Sequence, residues 1–214
     1  MAKHSHRGKI LSEGMKVVHT RGFANSSVRD IVQAAGVPQG SFTNHFASKE
    51  AFGVELIGMY AEASRELINA TLLDDTADPL KRLRDYVEGS KGPACDTATK
   101  SDGGHNGCLL GNFAAESSDH SEAIRTRVLE ELENVRRSLA YCLREAVDAG
   151  ELESSVDCDQ LSAFIVSSLQ GAHLLAKAER DVAPIDRFRD LLFSLVLPTT
   201  VRKPAVRIPE KSVA

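Results

Sequence analysis

Two groups of residues in this chain have the types and spacing to do chemistry. The first is Gln39, Ser41, Thr43, Asn44 and His45, short polar side chains interleaved with Phe42 and Phe46. On a helix the two phenylalanines, four residues apart, share one face and leave polar groups on the other. Asn and Gln can bond adenine bidentately, and Ser and Thr can reach base or phosphate, so the polar face suits a DNA major groove. The second group is Cys108 with His105 three residues before it. A thiol with a base one helical turn away can act as a nucleophile, whereas a buried cysteine can equally serve as a small apolar filler.

The elements that would position the first group are compact. Val28, Ile31, Val32 and Ala35 give a short apolar stripe, with Ser27 as its N-cap and Gly36 closing it. Val37 and Pro38 reopen the chain, since proline fits a first helical turn. The polar-faced helix follows, and Ser48 caps the next. Two short helices across a glycine-bearing turn predict a helix-turn-helix whose second helix enters the major groove. Lys49, at the start of the following helix, and Ser26 and Ser27, at the start of the preceding one, are expected to hold phosphates. Ser26, Ser27, Gln39, Ser41, Thr43, Asn44, His45 and Lys49 are therefore the candidate DNA-binding residues.

The charge distribution agrees. The net charge of −4 divides unevenly: residues 1–50 hold seven Lys/Arg against three Asp/Glu, a local +4 that leaves −8 for the remainder. A basic head on an acidic body suits phosphate contact at one end only. An architectural, sequence-independent DNA binder remains an alternative, but such proteins are usually basic throughout. No run of about eighteen apolar residues is present, so no membrane span is expected. The polar start MAKHSHRGK has no leader character, and a cytoplasmic protein is expected. Cys95, Cys108, Cys142 and Cys158 are scattered without close pairing and read as free thiols; no metal site and no cofactor is expected.

Periodicity is helical nearly everywhere, with no alternating strand, which predicts an all-α fold. Helices are expected from Ile10 to Arg21, Val28 to Ala35, Pro38 through Phe46, Lys49 to Thr71, from Pro79 onward, Cys108 to Ala115, Ser121 to Ala149, Leu161 to Arg180 and Pro184 to Leu197. Gly89 to Asn106 reads as a helix fraying into a loop, and residues 198–214, with three prolines and no apolar face, as a disordered tail. Large residues on apolar stripes of the body, Tyr86, Phe113, Tyr141, Phe164 and His173, are candidates with Cys108 to line a ligand cavity. Small residues at Ser167, Ser168, Gly171 and Ala172 would let helices approach closely, so the last two helices are expected to pair with their twins in a four-helix bundle. A dimer also supplies the two heads that a two-fold operator needs.

The stretch FANSSVRDIVQAAGVPQGSFTNHFASKEAFG resembles the N-terminal signature of the TetR family of one-component transcriptional regulators. The segment NGCLLGN with Ala115 and Glu116 is similar to one found in electrophile-sensing members. One departure is Thr43, where the family commonly carries an aromatic, with Asn44 beside it. The resemblance implies an N-terminal three-helix bundle (1–48) with the helix-turn-helix, and a helical ligand-binding and dimerisation domain (49–197). It also implies a homodimeric repressor that leaves a pseudo-palindromic double-stranded DNA operator when a small-molecule effector, an electrophile in that branch, enters the body. A cysteine-dependent enzyme using Cys108 and His105 is the alternative from another class, although no orienting third group or oxyanion loop is identifiable.

Overall fold

The computed structural model describes residues 6–92 and 105–197. Within them the chain is helical: α1 (His6–Arg21), α2 (Val28–Ala34), α3 (Gly40–Thr43), α4 (Lys49–Ala70), α5 (Pro79–Gly89), α6 (Leu109–Ser117), α7 (Glu122–Asp148), α8 (Cys158–Glu179) and α9 (Ala183–Leu191), which runs on into a π-helical turn at Leu192–Val196. The expected disordered tail at 198–214 and the expected loop at 93–104 lie outside the described residues.

Local chemistry explains where the helices begin. Ser27 and Asp30 form a reciprocal capping box: the Asp30 N–H donates to Ser27 Oγ at 3.1 Å, and the Ser27 N–H donates to the Asp30 carboxylate at 2.9 Å. Those Ser27 hydrogen bonds hold the Asp30 carboxyl below its ordinary pKa. Ser48 caps α4 through the Ala51 N–H, and Ser121 caps α7 through the Ile124 N–H. Gly36 ends the first half of the helix-turn-helix at φ +60°, a left-handed position that a side chain would strain.

Two helix starts bear on the site. α8 starts at Cys158; of the two acidic residues that could open it, Asp157 and Asp159, Asp157 is the cap, its carboxylate accepting both the Asp159 and Gln160 N–H groups. The short sixth helix starts at Leu109, with Cys108 at its N-cap position in extended backbone. His105 consequently precedes the helix, so His105 and Cys108 do not share a helical face as the enzyme alternative required.

Two apolar cores hold the elements together. One lies in the body, among α4, α5, α7, α8 and α9, around Leu83, Leu139, Leu143 and Ile165. The other gathers Ile10, Ile31, Phe42 and Phe46 of the head with Phe52, Leu56 and Ile57 of α4, Leu109 and Phe113 of α6, and Ile124 of α7. Each fully buried side chain of this size stabilises by about 1.5–3 kcal/mol. The second core therefore crosses the expected boundary at residue 48 and joins the head to the body through α4, α6 and α7.

Candidate functional site

At the head, hydrogen bonds Ser41 N–H to Pro38 O, Phe42 N–H to Gln39 O and Phe46 N–H to Phe42 O extend helical winding on both sides of the four-residue α3. Phe42 and Phe46 turn inward, their rings 5.1 Å apart, and each meets Phe52 of α4. That packing orients the opposite face, where Gln39, Thr43, Asn44 and His45 are exposed. Arg7 pairs with Glu55 and lies over the Phe46 ring, which ties α1 to the same corner.

In the body, two cavities meet at Cys108. An enclosed chamber of about 40 Å³ lies between α4, α5, α7 and α8, lined among others by Tyr60, Ser64, Tyr86 and Ser90. A larger cleft of about 540 Å³ opens between α6, α7 and α8, beside Ala114, Ala115, Leu132 and Leu174. Cys108, Val166, Gln170 and His173 line both and form the partition. The Cys108 sulfur accepts hydrogen bonds from Gln170 Nε2 at 3.4 Å and from the Tyr60 hydroxyl at 3.7 Å. His173 is buried and meets His105 through ring nitrogens 3.1 Å apart, with the rings stacked. Burial, with His105 as the next cause, pushes the His173 pKa down to about 4, so this wall is uncharged at neutral pH.

One helix connects the two regions. α6 begins directly after Cys108, its N-cap, and ends against the turn between α1 and α2. The Phe113 ring packs on Phe23 at 4.9 Å, and the Glu116 carboxylate accepts the Ala24 N–H at 3.1 Å. At the start of α6, the Gly107 carbonyl lies 2.9 Å from Nε2 of the fully buried His19 on α1. From the other side, Lys49 Nζ donates to the Phe23 carbonyl at 2.6 Å and sits over that ring, 4.5 Å from its centre. Burial holds the Lys49 pKa below its ordinary value, and the nearby Glu116 charge acts against that shift.

Comparison with known proteins decides what this arrangement belongs to. Residues 10–56 match the model of bacterial regulatory proteins of the tetR family, and residues 79–192 match the "Tetracyclin repressor-like, C-terminal domain". The chain is 36% identical over 200 residues to the HTH-type transcriptional repressor DhaR of Mycobacterium sp. (strain GP1), covering 94% of this chain and 96% of that one. The chain belongs to the TetR family. A solved TetR regulatory protein from Rhodobacter sphaeroides superposes with a TM-score of 0.78 at 30% identity, over 88% of this chain and 96% of the other. The reduced form of Escherichia coli NemR does so with a TM-score of 0.72 at 27% identity, over the same shares of the two chains.

As a TetR family member the protein is a DNA-binding transcriptional regulator, which sets the enzyme alternative aside. The first family model spans α1 to α3 and the start of α4; the second spans α5 to α9. The candidate DNA-binding residues divide within this frame. Gln39, Thr43, Asn44 and His45 share the exposed face, and Ser27 is exposed at its cap. Ser26 is fully buried and donates to the Gly22 carbonyl at 2.6 Å, which takes its hydroxyl off the surface. Ser41 is also buried, with its Oγ 3.3 Å from His6 Nδ1. Lys49 is half-buried, with its ammonium bonded to the carbonyls of Phe23 and Ala24.

The cavity candidates divide as well. Tyr86, Cys108 and His173 line the cavities. Phe113 is buried against Phe23, Tyr141 bonds Asp75 through its hydroxyl at 3.1 Å, and Phe164 is 47% exposed on α8. Tyr60 and Gln170 escaped the sequence reading, although they hold the sulfur. Their distance from Cys108 along the chain, 48 and 62 residues, leaves no local pattern to find. Among the described residues no helix is long and apolar enough to cross a membrane, and no cluster of three metal-ligating side chains occurs.

Proposed function

We propose that this regulator is a repressor that binds a pseudo-palindromic operator as a homodimer and is released by a small electrophile reacting at Cys108. One observation carries the reading: α6 has Cys108 at one end, on the wall shared by two cavities, and Glu116 at the other, on the turn that leads into the helix-turn-helix. A change at the sulfur that moves α6 alters the position of that turn. The effector need only prefer the arrangement in which two heads no longer match the operator.

The chemistry is conjugate addition. The sulfur lone pair forms a bond to the β-carbon of an unsaturated carbonyl, the π pair moves to the α-carbon, and that carbon gains a proton as the thiol loses one. No oxidant is required. DNA contact falls to Gln39, Thr43, Asn44 and His45, with dimerisation through α8 and α9, where Phe164, Leu175, Leu191 and Leu195 are exposed apolar side chains.

Footprinting on DNA selected from random sequence, with and without a panel of electrophiles, tests the whole reading. A two-fold symmetric footprint that an electrophile abolishes in the native protein, and not in Cys108→Ser, is the expected result. A footprint indifferent to every electrophile returns Cys108 to a packing role. Equal affinity for random DNA would support the architectural alternative.

A further inference from the structure

The partition between the two cavities contains an unmet hydrogen bond. Gln170 donates through Nε2 to Cys108, while its Oε1 is buried with no partner among the described residues. A buried amide oxygen left in this way forfeits its hydration with nothing in return, so such atoms are uncommon in folded proteins. The oxygen sits against Gly111, where a Cβ would lie only 2.7 Å from it, so the absence of a side chain at Gly111 accommodates it. Gly111 and Gln170 both line the outer cleft, whose other described walls are mainly apolar. No Asp, Glu, Lys or Arg is among the described residues lining either cavity.

We propose that Gln170 reads the effector, and that the effector is a neutral, largely apolar small molecule carrying one hydrogen-bond donor, a hydroxyl or an amide N–H. The inference rests on the assignment of these cavities as the effector site. An apolar body fills the cleft of about 540 Å³, a size in the ordinary range for ligand pockets. Its donor supplies the partner that Gln170 Oε1 lacks, once the amide turns from Gly111 toward the cleft beside the thiol. A carboxylate is disfavoured, because the described walls carry no cation and the nearby Lys177 ammonium is already held by Asn112 Oδ1 at 3.0 Å. Gln170 thus sets specificity at the sulfur without itself reacting.

Two matched series separate this inference from the reactivity of Cys108. Unreactive N-(2-hydroxyethyl)succinimide, N-propylsuccinimide and N-(carboxymethyl)succinimide are titrated calorimetrically into the full-length protein. The hydroxyethyl compound should bind about tenfold tighter than the propyl one, the carboxymethyl compound weakest of the three. Gln170→Met should bring the hydroxyethyl and propyl affinities together. The corresponding maleimides, with adducts mapped by mass spectrometry, report on Cys108 alone. Equal affinity of the hydroxyethyl and propyl succinimides in the native protein, or binding of neither, overturns the role of Gln170 whatever the maleimides do. Absence of a Cys108 adduct overturns the electrophile reading whatever the succinimides do.

Discussion

The carboxylate of Glu116, in the last turn of α6, accepts the backbone N–H of Ala24, in the turn that precedes α2, at 3.1 Å. The contact joins the end of the cavity helix to the loop that aims the DNA-reading unit. Its neighbour Gly22 stands at φ +86°, where a Cβ would lie 2.6 Å from the same carboxylate. Glu116→Ala should weaken operator binding about three- to tenfold, the effect of one charge-assisted bond at a partly solvated site. Labelling of Cys108 by a maleimide should stay unchanged. Fluorescence anisotropy on the selected operator measures the first quantity; an unaltered affinity would show that this bond does not position the head.

Lys49 and Asn44 should behave differently in salt. The Lys49 ammonium is held by the Phe23 carbonyl, so Lys49→Ala should lower the melting temperature and leave the salt slope of DNA binding unchanged. Asn44 is exposed on the face proposed to read DNA, so Asn44→Ala should lose about 1–3 kcal/mol of discrimination at one base pair. Titrations at several salt concentrations, on native and mismatched operators, distinguish them. A salt slope reduced by about one in Lys49→Ala would restore that residue to the phosphate contacts.

Gly53 of α4 faces the Phe23 ring, where a Cβ would come within 2.8 Å of it. Gly53→Ala should destabilise the protein by about 1–3 kcal/mol through overpacking. Adding Phe23→Leu should recover part of the loss, a non-additivity that urea denaturation of the two singles and the double would reveal. Strict additivity would mean that the two residues do not press on one another.

His173 predicts a pH dependence. Its pKa is about 4 in the fold against an ordinary 6.5, so between these values the unfolded chain binds a proton that the native protein does not. Stability contributed by the neutral imidazole is present above pH 6.5 and is lost as pH falls toward 4, by up to a few kcal/mol. His105, stacked on it, adds to the shift, and Tyr60, Tyr86 and Cys108 line the same chamber. Replacing His173 by Gln should flatten the melting temperature across this range. An unchanged slope in that variant would assign the acid sensitivity to other groups.

Leu175 of α8 and Leu195 of the terminal turn are 53% and 63% exposed. Leu175→Glu and Leu195→Glu together should convert a dimer to monomers at micromolar concentration, because each places a charge in an apolar contact. Sedimentation velocity gives the mass, and loss of a symmetric footprint should accompany it. A dimer that survives both changes would place the interface elsewhere.

The parts of this molecule that were legible in its sequence are those governed by neighbours a few residues away. Ser27, Ser48 and Ser121 announce the helices they cap, Gly36 announces a left-handed turn, and the spacing of Phe42 and Phe46 announces which face of α3 is buried. The sites that were misplaced depend on distant partners. Nothing near Lys49 indicates that the Phe23 carbonyl lies above it, and Ser26 differs from Ser27 only in which way one turn folds. Phe113, Tyr141 and Phe164 all sit on helical stripes, but periodicity reports that a face is covered or apolar, not whether a cavity, a core or solvent lies opposite. The setting of Cys108 in the sequence singles it out as a candidate; the two side chains that hold its sulfur carry no such mark, because α4 and α8 reach it only in the folded chain.

Phe42 and Phe46 pack against Phe52, and Phe52 belongs to the helix that continues into the body. The interior of the N-terminal head is therefore continuous with that of the body. A fragment ending at residue 48 would expose those rings and should not fold alone, and heating the whole chain should give one cooperative transition instead of two. The body serves as the scaffold on which its own reader is assembled, so any lesion that loosens α4 or α6 will cost the cell the fold of the reader along with its control.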